Sequence, residues 1–263
     1  MTSLRQQGQP EHQSSTGARP VGVTDENAAA TAVQQMFDAI ASRYDLLNHL
    51  LSVGLDRWWW SRAARVFRPV LQRPEAVALD LCCGTGDMTL ALLKHRSKTA
   101  EAAPILALDF SHQMLSRGAQ KFATHNIIPI EADALHLPLA DNSVDLVTSA
   151  FGFRNLANYE EGLAELHRVL RPGGQIGILD CNQPEGLIGA LYNLYFKAVL
   201  PKLGGLISGD ARAYSYLPAS VERFPRPPRM LQLIAEAGFT NGTWTSYTFG
   251  TAGLYRASRV QSP

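Results

Sequence analysis

The stretch DLCCGTGDMT at residues 80–89 decides the fold of this chain. An apolar run closes at Asp80, and Gly84-Thr85-Gly86 then turns into what reads as the start of a helix. Glycines at such a turn adopt backbone angles closed to other residues and let the main chain approach a ligand. Free amides at a helix start can receive a carboxylate. Strand, glycine turn and helix in succession open a nucleotide-type α/β sheet.

Outward from this loop, short β-rich apolar runs alternate with helical periodicity. Strands are expected at 76–82, 105–109, 127–130, 144–149 and 175–180, and helices at 87–95, 113–125 and 159–170. Such alternation predicts βαβ units and a parallel sheet. Arg171-Pro172-Gly173-Gly174 reads as a breaker after the last of these helices. Upstream, Val33, Phe37, Ile40 and Tyr44 share one helical face. An amphipathic stretch at 48–55 and a helix at 58–70 follow. After Asp180 the chain reads as irregular and apolar to about Gly209. A helix at 227–237 stops at Gly238, and 242–257 looks like two strands joined at Gly250.

The expected organisation is a disordered tail, 1–28, and a single domain, 29–263. The domain divides into a helical lid (29–70), a cofactor-binding core (75–182), a substrate-side insertion (183–226) and a last helix with strands (227–263). The tail carries too few large apolar residues to order itself and lacks the apolar core of a signal peptide. No uncharged apolar run is long enough for a membrane span. A formal net charge of +1 gives no electrostatic reason to expect nucleic acid. Cys82, Cys83 and Cys181 lack metal-ligand spacing, so no metal is expected. They read as small buried apolar residues in a reducing, intracellular setting.

Two further features stand at strand ends, where open α/β sheets bind ligands. Asp109 closes the second strand and can accept from ribose hydroxyls. Asp133-Ala134 follows the third strand, where an acidic residue can meet an adenine amino group. Glycines plus Asp109 would also suit a nicotinamide enzyme. The third glycine of a dinucleotide fingerprint is absent from GTGDMT, however, and Asp133 favours S-adenosylmethionine. Tight-turn glycines and surface-capping aspartates are the plainer alternatives for each feature alone.

With these segments in place, the chain resembles the UbiE/MenG C-methyltransferases of ubiquinone, menaquinone and phylloquinone synthesis. The resemblance rests on FDAIASRYDLLNHLLSVGLDRWW (37–59), FGFRN (151–155), RVLRPGGQIGILDCNQP (168–184) and LPKLGGLISGDARAYSYL (200–217). It implies a seven-stranded, Rossmann-like class I methyltransferase fold. The sheet would be mostly parallel with a C-terminal antiparallel strand, under N-terminal lid helices. It implies S-adenosylmethionine as cofactor, with contacts at Thr85, Asp109, Asp133 and Ala134, beside Asp80, Gly84 and Gly86, which the loop itself offers as cofactor-binding residues. The implied reaction methylates a ring carbon of a prenylated quinol, with demethylphylloquinol or demethylmenaquinol ahead of a methoxy-benzoquinol or another lipidic phenol. A cofactor-binding scaffold subunit is the rival from outside enzymology. Departures from the family pattern are Cys82 in place of a frequent glycine, Ala150 for Ser, Asp180 for Glu, Asp56 for His, and His49 for an occasional Asp.

On this resemblance Arg154 is the candidate for holding a phenolate oxygen, with a structural salt bridge as the plainer alternative. Asn155 orients a neighbour or caps the next segment. Tyr44, Asp45 and Asn48 lid the site, and Tyr44 touches cofactor or ring or simply packs. His49 and Asp56 share a face if one helix runs through both, and either is a candidate base. The apolar stretch 187–206 forms a lid and channel for a prenyl tail, rests on a membrane surface, or is an ordinary buried helix. The implied partners are a lipophilic quinol, a transiently contacted membrane surface, and a second copy or a quinone-synthesis complex. The implied location is cytoplasmic, peripheral to the membrane bearing the quinone pool.

Overall fold

In the computed structural model, Ala78–Leu81 forms strand β1, buried along its whole length. That is the signature of a central strand in a sheet covered on both faces. The structure describes residues 17–20, 23, 25–42, 44, 49, 52, 54–99, 101–184, 186, 189 and 211–261. Asp45, Asn48 and most of 187–206 lie outside the described residues.

Strands β2 (Ile105–Asp109), β3 (Ile127–Glu131), β4 (Val144–Ala150), β5 (Leu170–Cys181), β6 (Phe239–Tyr247) and β7 (Ala252–Arg259) join β1. They form a seven-stranded sheet of order β3-β2-β1-β4-β5-β7-β6. The first five strands are parallel, and β7 runs antiparallel to both neighbours. Strand order reverses between β1 and β4, which opens a crevice at the carboxyl ends there.

The helices are α1 (Glu26–Ile40), α2 (Leu55–Val66), α3 (Arg68–Leu71), α4 (Asp87–Leu93), α5 (His112–Phe122), α6 (Tyr159–Val169), α7 (Ala211–Arg223) and α8 (Pro227–Glu236). Asp25, Ser111 and Asn158 cap α1, α5 and α6 by accepting an amide of the first turn. Alternate strand residues serve opposite faces. Leu79, Val147 and Ile178 pack with Leu163 of α6 and Met230 of α8. Ala78, Leu146 and Leu179 pack with Trp59 and Ala63 of α2 and Leu92 of α4.

Four local readings change. The helix before Arg171–Gly174 ends at Val169, but the strand expected from 175 already begins at Leu170. Pairing jumps from Val144↔Leu170 to Leu146↔Gln175, so the Pro-Gly-Gly residues are a bulge within β5. The helix expected at 58–70 is divided at Phe67, since Pro69 has no N–H to continue the ladder. Helix α7 forms just beyond the stretch read as irregular to about Gly209, where the sequence reading places no helix, and accommodates Pro218 internally. Finally, packing begins well before residue 29. The Ala18 N–H donates to the Leu156 carbonyl at 2.7 Å, and Arg19 Nη1 donates to the Ala157 carbonyl at 2.6 Å. Backbone pairing and an arginine fasten what apolar side chains do not.

Among the described residues, no helix is long and apolar enough to cross a membrane. None of their His, Cys, Asp and Glu side chains gather in a group able to hold a metal ion.

Candidate active site

The crevice holds a cleft of about 700 Å³ whose wall includes Tyr44, Gly84, Asp109, Asp133, Ala134 and Asn155. A smaller compartment of about 360 Å³ adjoins it, bounded by Tyr44, Trp60, Asp80, Thr85, Met88 and Phe151. The topology thus gathers residues that are far apart in the chain.

Asp80 of β1 is fully buried, with Thr89 Oγ1 donating to Oδ2 at 2.6 Å and Thr148 Oγ1 to Oδ1 at 2.9 Å. Burial pushes its carboxyl up to about 7, against the two hydroxyl hydrogen bonds. The side chain braces the glycine loop between β1, α4 and β4. Cys82 follows at φ +53 and Gly84 at φ +55. Cys82 therefore occupies a left-handed conformation that favours glycine and is disfavoured for residues with a Cβ. Gly152 opposes it: a Cβ there would lie 2.3 Å from Cys82 Cβ. Gly86, at φ +88, is not on the cleft wall, and its role is steric. A Cβ would lie 2.2 Å from the Phe122 ring.

Asp109 ends β2 and is buried. It accepts the Gly84 N–H at 2.8 Å on Oδ2 and the Ser111 N–H at 2.9 Å on Oδ1. The Phe110 N–H adds a third hydrogen bond to the carboxylate, which stands on the cleft wall. Burial raises its carboxyl to about 6 despite the amide hydrogen bonds, and the nearby Asp38 adds to the rise. Asp133 is half-exposed and accepts the Leu135 N–H at 3.0 Å.

Asp38 and Gln34 of α1 have no signal in the sequence, because each lies off the apolar stripe and reads as solvated. Ser111 Oγ donates to Asp38 at 2.5 Å, and Gln34 Nε2 to the Phe110 carbonyl at 2.6 Å. They dock α1 onto the turn beside Asp109, and Phe37 of α1 reaches the cleft wall. The Phe37 and Tyr44 rings meet edge-on at 6.0 Å, although α1 ends at Ile40.

On the far side, Phe151 stands at φ +59 after β4. Arg154 is not on the cleft wall. It is buried, with Nη1 donating to Asp180 Oδ1 at 2.8 Å and also to the Phe151 carbonyl. Its N–H donates to Asp180 Oδ2 at 3.0 Å. This arrangement is the salt bridge that stood as the alternative to a guanidinium holding a ligand oxygen. Burial opposes its charge, but Asp180 keeps the guanidinium protonated, its pKa above the ordinary arginine range. Asn155 forms the wall instead. Tyr216 of α7 donates to Asn155 Oδ1 at 3.1 Å, a contact between residues 61 apart that no local pattern in the sequence signals.

His49 Nδ1 and Asp56 Oδ2 lie 2.5 Å apart. No continuous helix joins them, because Gly54 caps α2 in a left-handed conformation. The turn, not helical spacing, makes the pair. The His49 ring rests edge-on against Trp60 at 6.1 Å and is not on the wall of the cleft.

The donor set fits S-adenosylmethionine. The Gly84 loop is open, an added Cβ meeting only Tyr44 at 3.8 Å. Asp109 suits ribose hydroxyls, and Asp133 with buried Ala134 suits an adenine edge. Ionised Asp109 accepts two hydroxyls, whereas the neutral acid spends one oxygen as a donor. Affinity for S-adenosylhomocysteine is therefore expected to weaken as pH falls through about 6, where Asp109 takes up a proton. Calorimetric titration at pH 5 and pH 7.5 checks this, and equal affinities would remove Asp109 from the ribose site.

The ubiE/COQ5 methyltransferase family model matches residues 23–259. A demethylmenaquinone methyltransferase of Deinococcus radiodurans is 46% identical over 90% of this chain and 95% of its own. That of Thermus thermophilus is 45% identical over 85% of this chain and 100% of its own. In fold, a SAM-dependent methyltransferase of Thermotoga maritima superposes with a TM-score of 0.61 at 16% identity, covering 86% of this chain and 99% of that one. The [4+2]-cyclase SpnF superposes at 0.64 with 17% identity, covering 95% of this chain and 100% of that one. The glycine loop with Asp109 and Asp133, the seven-stranded sheet and the sequence match converge, and the chain belongs to the ubiE/COQ5 family of S-adenosylmethionine-dependent methyltransferases.

Proposed function

We propose that this enzyme methylates a ring carbon of a prenylated naphthoquinol, with demethylmenaquinol as substrate. The observation that carries the reading is an aromatic, largely apolar cleft, with Phe37, Tyr44 and Phe151 on its wall, ending on the cofactor loop. Relatives named demethylmenaquinone methyltransferase, 37–46% identical to this chain, support the substrate class.

When bound, S-adenosylmethionine supplies a methyl group made electrophilic by its sulfonium. The acceptor ring carbon becomes nucleophilic once the neighbouring hydroxyl loses its proton. Tyr44 and Asn155 are the polar side chains on the wall able to hold that oxygen. Arg154 acts from behind them. Its bonds to Asp180 and Phe151 fix the 151–155 loop that carries Asn155 to the wall. A guanidinium cannot serve as the base, so the proton passes to water. Aromatic walls and α1 exclude further solvent and orient the ring.

Incubation with reduced demethylmenaquinone, reduced demethylphylloquinone and a reduced methoxy-benzoquinone, followed by mass spectrometry, tests the reading. We expect a single added methyl on the reduced naphthoquinol with the menaquinone tail, and none on the oxidised form. Absence of product from every reduced naphthoquinol would reject it, whether or not the benzoquinol reacts.

A further inference from the structure

Helix α2 has two unlike faces. Trp59, Trp60, Ala63 and Ala64 are buried against the sheet. Leu55, Trp58, Arg62 and Arg65 face outward at helical spacing. Trp58 is 48% exposed, which is unusual for a tryptophan. Beside it lies the turn between β6 and β7, where Phe249 is 78% exposed.

That turn is built, not loose. Thr248 at φ +44 and Phe249 at φ +57 both hold left-handed conformations disfavoured for residues with a Cβ. Trp59 Nε1 donates to Thr248 Oγ1 at 2.8 Å, and Thr251 Oγ1 donates to the Thr248 carbonyl at 3.0 Å. Tyr247 meets the Trp58 ring at 5.6 Å. The Arg62 guanidinium lies 5.4 Å from the Trp58 ring and 5.8 Å from Tyr247. These contacts fix the turn so that Phe249 is left in solvent.

Charge around the aromatics is of one sign. Arg57, Arg62 and Arg65 of α2 and Arg68 of α3 are exposed. The one carboxylate of α2, Asp56, is buried on His49, and residues 248–251 carry no charge. Exposed Trp and Phe rimmed by arginine is the chemistry of an interfacial anchor on anionic lipid. With a whole-chain net charge of only +1, the attraction is local to this face.

We infer that the outer face of α2 and the β6–β7 turn form a docking surface for an anionic lipid bilayer. The opposite face of the same helix reaches the active site: Trp60 walls the smaller compartment and Trp59 packs on Phe151 at 5.6 Å. Docking sets the site beside the phase in which a prenylated quinol dissolves. The purpose of the surface rests on the proposed substrate; its existence rests on the residues named.

The test is sedimentation of the full chain with vesicles of phosphatidylcholine alone and of phosphatidylcholine with half phosphatidylglycerol. Wild type should partition onto the anionic vesicles and much less onto the neutral ones. R62Q/R65Q should lose roughly fivefold in partitioning per arginine, and W58S/F249S roughly tenfold or more. Salt should weaken wild-type binding more than that of R62Q/R65Q. Both variants should keep wild-type affinity for S-adenosylhomocysteine, showing an intact fold. Methylation of a short-tailed naphthoquinol in solution is read separately, so failure of the substrate reading does not mimic failure of docking. Wild type remaining in the supernatant with both vesicles overturns the inference, as does equal binding by all three proteins. A wild-type dimer that W58S/F249S converts to monomer, with no vesicle binding, would assign the face to a second copy instead.

Discussion

Replacing Arg154 by alanine is expected to cost about 3–5 kcal/mol of stability, because it strands the Asp180 carboxylate in the core. Asp180 is fully buried and takes both the backbone N–H and the Nη1 of Arg154. With its cation gone, that carboxylate has only minor partners, such as the Cys181 N–H at 2.8 Å. The same change frees the Phe151 carbonyl and loosens the loop carrying Asn155, so turnover should fall at least about a hundredfold. Cofactor affinity should stay within a few-fold, since Asp109 and Gly84 are untouched. Urea unfolding, steady-state methylation and S-adenosylhomocysteine titration read the three effects. The double variant Arg154→Met/Asp180→Leu separates them: it should regain stability through apolar packing without regaining turnover. A single variant as stable as wild type would show that the pair carries no structural load. A double variant with wild-type turnover would remove Arg154 from the chemistry.

Asp109→Ala should show the opposite pattern, with cofactor binding lost first. Hydrogen bonds to a charged acceptor contribute about 1.5–3 kcal/mol each. Losing two from ribose hydroxyls weakens S-adenosylhomocysteine by roughly two orders of magnitude or more. The loop suffers as well, because the Gly84 and Ser111 amides lose their acceptor. Asp109→Asn keeps an acceptor oxygen and removes the charge, so its affinity should lie between wild type and alanine. Calorimetric titration of both variants checks the order. An alanine variant that binds as well as wild type would exclude the ribose contact. Asp109→Ala also leaves the Gly84 and Ser111 amides without their acceptor, at about 1–3 kcal/mol each, but strands no buried charge, which distinguishes this variant from Arg154→Ala.

Much of this molecule was legible before its structure. Glycine turns, strand-ending aspartates and apolar periodicity are local, and each arises from backbone sterics or from burial on one face. They placed β1 to β5, the cofactor loop, and Asp109 and Asp133 at neighbouring strand ends. Even there, limits were local: the Pro-Gly-Gly of residues 172–174 reads as a stop, yet pairing of Leu170 with Val144 starts β5 ahead of it, and the register shifts across it.

What only the tertiary structure decided are relations between residues distant in sequence. Arg154 reads in the chain as a cation either near a ligand or held in a salt bridge. Burial beside Asp180 makes it a fastened one and hands the wall to Asn155. His49 and Asp56 meet through a turn at Gly54 and not along a helix. Asp38 and Tyr216 carry no periodic signal, since one hydrogen bond from a polar side chain leaves no trace in hydrophobic spacing. The exposed Trp58 and Phe249 belong to the same class, because an aromatic residue reads as core until the packing shows which face the sheet leaves uncovered. Sequence by itself determined the sheet and its cofactor loop, because steric and hydrophobic rules act on neighbours. Pairing across the crevice, and which apolar face meets water, were decided only when the fold brought distant residues together.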